Sequence, residues 1–108
     1  MKKEVYGDEQ MKLVRSKECL DSFRHKEFPD NILVNLYKLG VEPREVWVRV
    51  TEFKGASNGG VFHYFKARLL SEPPPEFLVH IDDEILVMVY LDNDKWVANG
   101  LPNVDVIL

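Results

Sequence analysis

The 108-residue sequence predicts an α+β fold, with one N-terminal helix packed on an antiparallel, partly barrel-like sheet of about five to six strands. Three observations carry this expectation. The stretch from Asp8 to Phe28 lacks Gly and Pro, and Leu13, Leu20 and Phe23 recur along it at helical spacing beside Cys19. Val46, Val48 and Val50 alternate with Trp47, Arg49 and Thr51, the period of two that a half-buried strand requires. The later apolar runs are separated by turn residues and by no helical pattern, so neighbouring strands are joined directly, as in an antiparallel sheet. A chain of this length supports one hydrophobic core, and residues 1–108 read as a single domain.

The elements follow in order. A helix is expected near 9–26, with Asp8 able to cap its start, basic residues in its later half as the helix dipole prefers, and Phe28-Pro29 as its stop. Residues 31–39 carry both signals: Asp30 and Gly40 look like helix caps, whereas the run NILVNLYKL is β-branched and apolar, and strand is favoured. After the strand around 46–51, Lys54 to Gly60 holds Gly55, Ser57, Asn58, Gly59 and Gly60 and reads as a hairpin loop, with the partner strand from Val61 to Leu70. Pro73-Pro74-Pro75 cannot donate ladder hydrogen bonds and marks a rigid turn. Ile85 to Leu91 is apolar on both faces, as in a central strand; turns are expected at Asp82-Asp83, at Asp92-Asn93-Asp94 and at Asn99-Gly100, with a short strand from Val104 to Leu108.

Charge narrows the function classes. The net charge is −4, but residues 1–27 hold seven Lys/Arg and six acids while residues 28–108 hold seven and twelve. Between Glu72 and Asp94 lie seven carboxylates and no Lys or Arg, a stretch able to attract a basic partner at low salt. That balance argues against binding nucleic acid. The longest nearly continuous apolar stretch, Ile85 to Leu91, is far short of the roughly twenty residues of a spanning helix, so no membrane is expected. The single Cys19 can form no internal disulfide, and Glu4, Gly7, Asp8 and Glu9 interrupt the start where a leader would be apolar; a cytoplasmic protein is the expectation.

No residue set names a reaction, and the expectation leans away from an enzyme: no catalytic residues, no metal and no cofactor are assigned. Ser16, Ser22, Ser57 and Ser71 lie in no nucleophile-elbow context, and Cys19 on a half-buried helix reads as a small hydrophobe. His80-Ile81-Asp82-Asp83-Glu84 is the densest ligand-type cluster but matches no metal spacing. The calcium-loop-like opening Asp92-Asn93-Asp94 has Val97 where the loop needs Gly and Asn103 where it needs Glu. The loop Gly55 to Gly60 lacks the Lys-Ser/Thr ending of a phosphate cradle.

Glu45 to Val50 (EVWVRV), then Leu69-Leu70 with Pro73 soon after, then Asp82-Asp83-Glu84-Ile85, resemble in succession the motifs of a group of small uncharacterised bacterial β-rich proteins, some of them thought to act as immunity proteins beside polymorphic toxins. The resemblance covers about residues 32–91, and Asp82 stands where that pattern has Gly. It implies strand for 32–39 and adds no catalytic residue.

The expected function is therefore a non-enzymatic protein-interaction module with an acidic binding surface, of immunity type if the resemblance holds, whose partner is another protein with a basic face. Its expected contact residues are Asp82, Asp83, Glu84, Asp92 and Asp94, with Trp96 as an aromatic anchor if exposed. One alternative is a small-molecule binder or enzyme with a pocket of His63, Tyr64 and His80; a second is a single-stranded nucleic-acid binder using His63, Tyr64 and Phe65 beside Lys66 and Arg68. The oligomeric state is not fixed by sequence, although Ile107 and Leu108 could complete either a sheet or a dimer seam.

Overall fold

The computed structural model describes residues 7–102, with side chains described from residue 9 to residue 102. Helix α1 (Gly7–Arg15) is followed by a 3₁₀ turn (Glu18–Phe23) and five strands: β1 (Asn31–Lys38), β2 (Val41–Ser57), β3 (Phe62–Leu69), β4 (Glu84–Asp92) and β5 (Lys95–Leu101). The expected cap Asp8 and the strand Val104 to Leu108, with Ile107 and Leu108, fall outside the described side chains and residues.

The helix expected over 9–26 is shorter than its Gly- and Pro-free sequence suggested. Val14 and Leu20 are both fully buried, yet six positions apart on a continuous helix they would point about 120° away from each other. Breaking the helix after Arg15 lets both reach the core, and Leu13, counted in the sequence stripe, is left partly exposed. At the break the Val14 and Lys17 carbonyls accept the Lys17 and Leu20 amides, and Arg24 adds a second bond to each. Its guanidinium donates to the carbonyls of Val14 and Lys17 (both 3.1 Å) and of Pro29 (2.8 Å), and to the Asp21 carboxylate (2.9 Å). Helix α1 is pinned to the sheet by Gln10, whose side-chain oxygen accepts the Phe53 amide at 2.9 Å.

The segment 31–39 is strand: Ile32, Val34 and Leu36 are buried while Leu33, Asn35 and Tyr37 face outward, the alternation that a helix cannot produce. Its two apparent caps have other work. Asp30 accepts two hydrogen bonds from Arg15, Nε at 3.1 Å and a terminal nitrogen at 2.7 Å, and Gly40 takes φ 83° in the tight β1–β2 turn.

The hairpin loop expected over 54–60 is mostly strand. β2 runs on to Ser57, and only Asn58–Gly60 turns, all three with positive φ. Straight, a 17-residue strand would span about 56 Å, longer than the 40 Å greatest extent of the molecule, so β2 must bend. Register shifts between Val50 and Glu52 and between Phe53 and Gly55 supply the bend, and β2 pairs with β1 through its first half and β3 through its second.

Successive hairpins give antiparallel neighbours from β1 to β5, and β5 then returns to β1, closing the sheet on itself. Five strands joined as a meander leave the first and fifth running in the same direction. The closing contact, Asn35↔Asn99 and Leu36↔Gly100, is therefore parallel, and the sheet is mixed where antiparallel pairing alone was expected. Asn99-Gly100, expected as a turn, lies inside β5. A Cβ on Gly100 would stand 3.0 Å from Ile85 Cδ1 and 3.3 Å from both Leu36 Cδ1 and Val34 Cγ2, so a larger residue there would require those side chains to give way. The enclosed core joins Val34, Leu36, Val48, Val50, Phe65, Leu69, Ile85 and Val87 with Phe77 from the β3–β4 connection.

Candidate functional site

The β3–β4 connection, residues 70–83, is the longest irregular segment among the described residues. Its prolines favour extended geometry until a 3₁₀ turn at Pro75–Phe77 delivers Phe77, fully buried, into the core. With Phe77 inward, Leu78 is forced into the left-handed region (φ 61°) and outward; it is 68% exposed. Three residues on, Ile81 is 48% exposed and Asp82 is again left-handed, at φ 74°.

Polar side chains hold this shape. Glu72 accepts the Ile81 amide at 2.9 Å with one oxygen and meets His80 Nδ1 at 2.8 Å with the other. Asp83 accepts the His80 amide at 2.8 Å, and the Asp82 amide donates to the Leu69 carbonyl at 2.9 Å. The Ile81 amide, and then the His80 ring, hold the Glu72 carboxyl below its ordinary range; Glu72 in turn holds the His80 imidazole above its ordinary range. The result is an exposed aliphatic pair, Leu78 and Ile81, in a loop that also carries Glu72, Glu76, Asp82 and Asp83 and runs into Glu84.

The seven carboxylates of the sequence do not form one surface. Asp82, Asp83 and Glu84 stand at the start of β4, whereas Asp92 ends it and Asp94 follows, about 26 Å away along the strand. Glu84 is engaged by Lys66 at 3.6 Å. Asn93 and Asp94, with φ 55° and 65°, form the two central positions of a tight β4–β5 turn closed by the Asp92↔Lys95 pair, which explains both aspartates as turn chemistry. Trp96 is half-buried, packs on the core and meets His63 edge-on, with ring centroids 5.7 Å apart.

Nor do His63, Tyr64 and His80 converge. His63 pairs with Val89 near the end of β4, whereas His80 lies beside the Leu69 end of β3, about 20 Å along that strand. Tyr64 points to the opposite face from His63, where its hydroxyl lies 3.3 Å from Ser57 Oγ. His63 is wedged among Phe53, Trp96 and Lys17, and burial, followed by the Lys17 charge, lowers its pKa; its Nδ1 is buried with no hydrogen-bond partner among the described residues. Phe65 is fully buried, so the aromatic run 63–65 offers no continuous stacking platform for bases. Cys19 is buried and its thiol is pushed up to about 11, chiefly by desolvation, which leaves it protonated and unreactive at neutral pH. Among the described residues no three His, Cys, Asp or Glu side chains gather to hold a metal, and no helix is long and apolar enough to cross a membrane.

Sequence reasoning passed over Leu78 and Ile81, because an apolar residue in a proline-rich segment looks like core. Their signal was their place among carboxylates, outside any alternating run.

The chain matches no family model, no curated protein and no solved structure.

Proposed function

We propose that this protein is a non-enzymatic protein-interaction module, and that it binds its partner through the β3–β4 loop. One observation carries the reading: Leu78 and Ile81 are held out of the core in a loop that also carries a set of carboxylates and whose backbone is strained at Leu78. Apolar side chains with a charged surround have the anatomy of a binding surface, and backbone strain of this kind persists where the surrounding structure enforces it. The charge calls for a partner with a basic face. An immunity-type role, in which that partner is a basic toxin, is the form of this proposal that the bacterial resemblance suggests. Asp92, Asp94 and Trp96 have no part in the contact, being at the other end of β4.

The test leaves the loop's own hydrogen bonds intact. Glu76 and Asp82 have exposed side chains with no partner among the described residues, so Glu76→Gln with Asp82→Asn removes charge without undoing the Glu72 and Asp83 contacts. Affinity capture from native lysate across a salt series should show a protein retained by the wild type and released by this double variant and by Ile81→Ser. Equal capture by all three proteins would remove the loop as the binding surface.

A further inference from the structure

We propose a second, separate site: an anion-binding cleft between α1 and the outer face of β2 and β3, built on Arg49 and Arg68 and suited to a phosphate-type dianion, free or as the monoester of a small molecule. It goes beyond the protein-interaction reading and uses none of its residues.

The geometry begins with strand register. Arg49 of β2 and Arg68 of β3 are directly paired, and both point outward, since their neighbours Val48, Val50, Ala67 and Leu69 are fully buried. Directly opposed like charges on a sheet repel, and natural pairs normally avoid them. Here neither guanidinium has a carboxylate or any other hydrogen-bonding partner among the described residues. Two nearby carboxylates are engaged by other cations. Glu84, the register partner of Arg68 on β4, lies 3.6 Å from Lys66. Asp30 is held by both forks of Arg15 at 2.7 and 3.1 Å.

These groups surround one cavity of about 330 Å³, lined by Arg15, Asp30, Arg49, Thr51 and Arg68 over the buried Val50. With Asp30 set against Arg15, Arg49 and Arg68 bring to the cavity two positive charges with which no described carboxylate forms an ion pair. Each guanidinium presents parallel N–H groups that match adjacent oxygens of a tetrahedral oxyanion, and two of them across one ladder rung can grip it from two sides. A bound dianion converts the repulsion of the Arg49–Arg68 pair into a shared attraction, which is the simplest physical reason for the two arginines to face each other. A carboxylate offers only one planar edge and one charge, so a phosphate-type group is the better complement.

The experiment titrates the intact chain with inorganic phosphate and, separately, with phenyl phosphate, following arginine side-chain NMR signals, with sodium chloride at matched ionic strength as the control. Saturable shifts at Arg49 and Arg68 are expected, weakened at least tenfold by Arg49→Gln or Arg68→Gln. Tighter binding of phenyl phosphate would assign the site to an ester, and equal or tighter binding of phosphate to the free anion. A second readout accompanies this: without ligand, Arg49→Gln should melt at an equal or higher temperature than the wild type because repulsion is removed, and phosphate should raise the melting temperature of the wild type alone. Shifts that chloride reproduces, or that persist in both variants, would overturn the proposal. So would a variant without ligand that melts lower while binding is unchanged.

Discussion

The two ends of β4 use similar residues to opposite ends. At its start, the loop through Glu72 to Asp83 puts a large aliphatic residue, Leu78, at φ 61° and leaves it in solvent. At its finish, Asn93 and Asp94 take φ 55° and 65° in a two-residue turn, where Asn and Asp tolerate the left-handed region and the turn matches the twist of the strands. The histidines follow the same division. His63, near the finish, is enclosed by aromatic rings and titrates low; His80, near the start, is exposed beside Glu72 and titrates high. One end is economical chain reversal. The other holds a strained, water-facing shape with a dedicated set of hydrogen bonds, and that contrast is the reason for placing recognition there.

The sharpest way to break the comparison is at Phe77, whose burial forces Leu78 outward. Phe77→Ala should cost about 3–5 kcal/mol in urea unfolding, as for other buried aromatic truncations. A loss below about 1 kcal/mol would mean that the ring does not hold the loop.

Strain gives a smaller effect of opposite sign. Leu78→Gly should stabilise the fold by about 1 kcal/mol while weakening partner binding, because glycine accepts φ 61° freely and the lost side chain is mostly exposed. Asp94→Gly, at the unstrained end, should gain roughly half as much or less and leave binding unchanged. Equal gains at both ends would dissolve the distinction.

The smallest effect is in pH. The folded pKa of His80 is raised above 6.5, so its contact with Glu72 contributes fully below 6.5 and is lost as pH rises through the raised value. Glu72 is depressed below 4.5, so its contribution is present above 4.5 and is lost as pH falls through the depressed value. The clamp is therefore tightest between 4.5 and 6.5. By NMR, the His80 ring should titrate above 6.5 and return to the ordinary value in Glu72→Gln, with the Ile81 amide exchanging faster in that variant. A His80 midpoint at or below 6.5 would show that no clamp forms.

Local pattern carried much of the architecture. Alternation at 46–51 and the apolar run 85–91 placed β2 and β4, and the Asp92 to Asp94 signal placed their neighbouring turn, because period and turn chemistry are properties of adjacent residues. What failed depended on distant partners. Gly55 looked like loop and is a bend in a long strand; Gly100 looked like turn and pairs with Leu36 where β5 meets β1; Asp30 looked like a cap and is the partner of Arg15. Of the expected contact residues, Asp82 and Asp83 share a loop with the exposed Leu78 and Ile81 and Glu84 begins the strand after it, whereas Asp92, Asp94 and Trp96 belong to the other end of β4.

By itself, then, the order of residues determined a helix first and strands after, and an acidic balance, since composition and short-range period decide those. Only the tertiary structure decided that the helix stops at Arg15, that β5 returns to β1 in parallel, that the carboxylate stretch is divided between two ends, and that Arg49 faces Arg68. Each of these is settled by register and closure, in which residues tens of positions apart compete for one core and one set of charges.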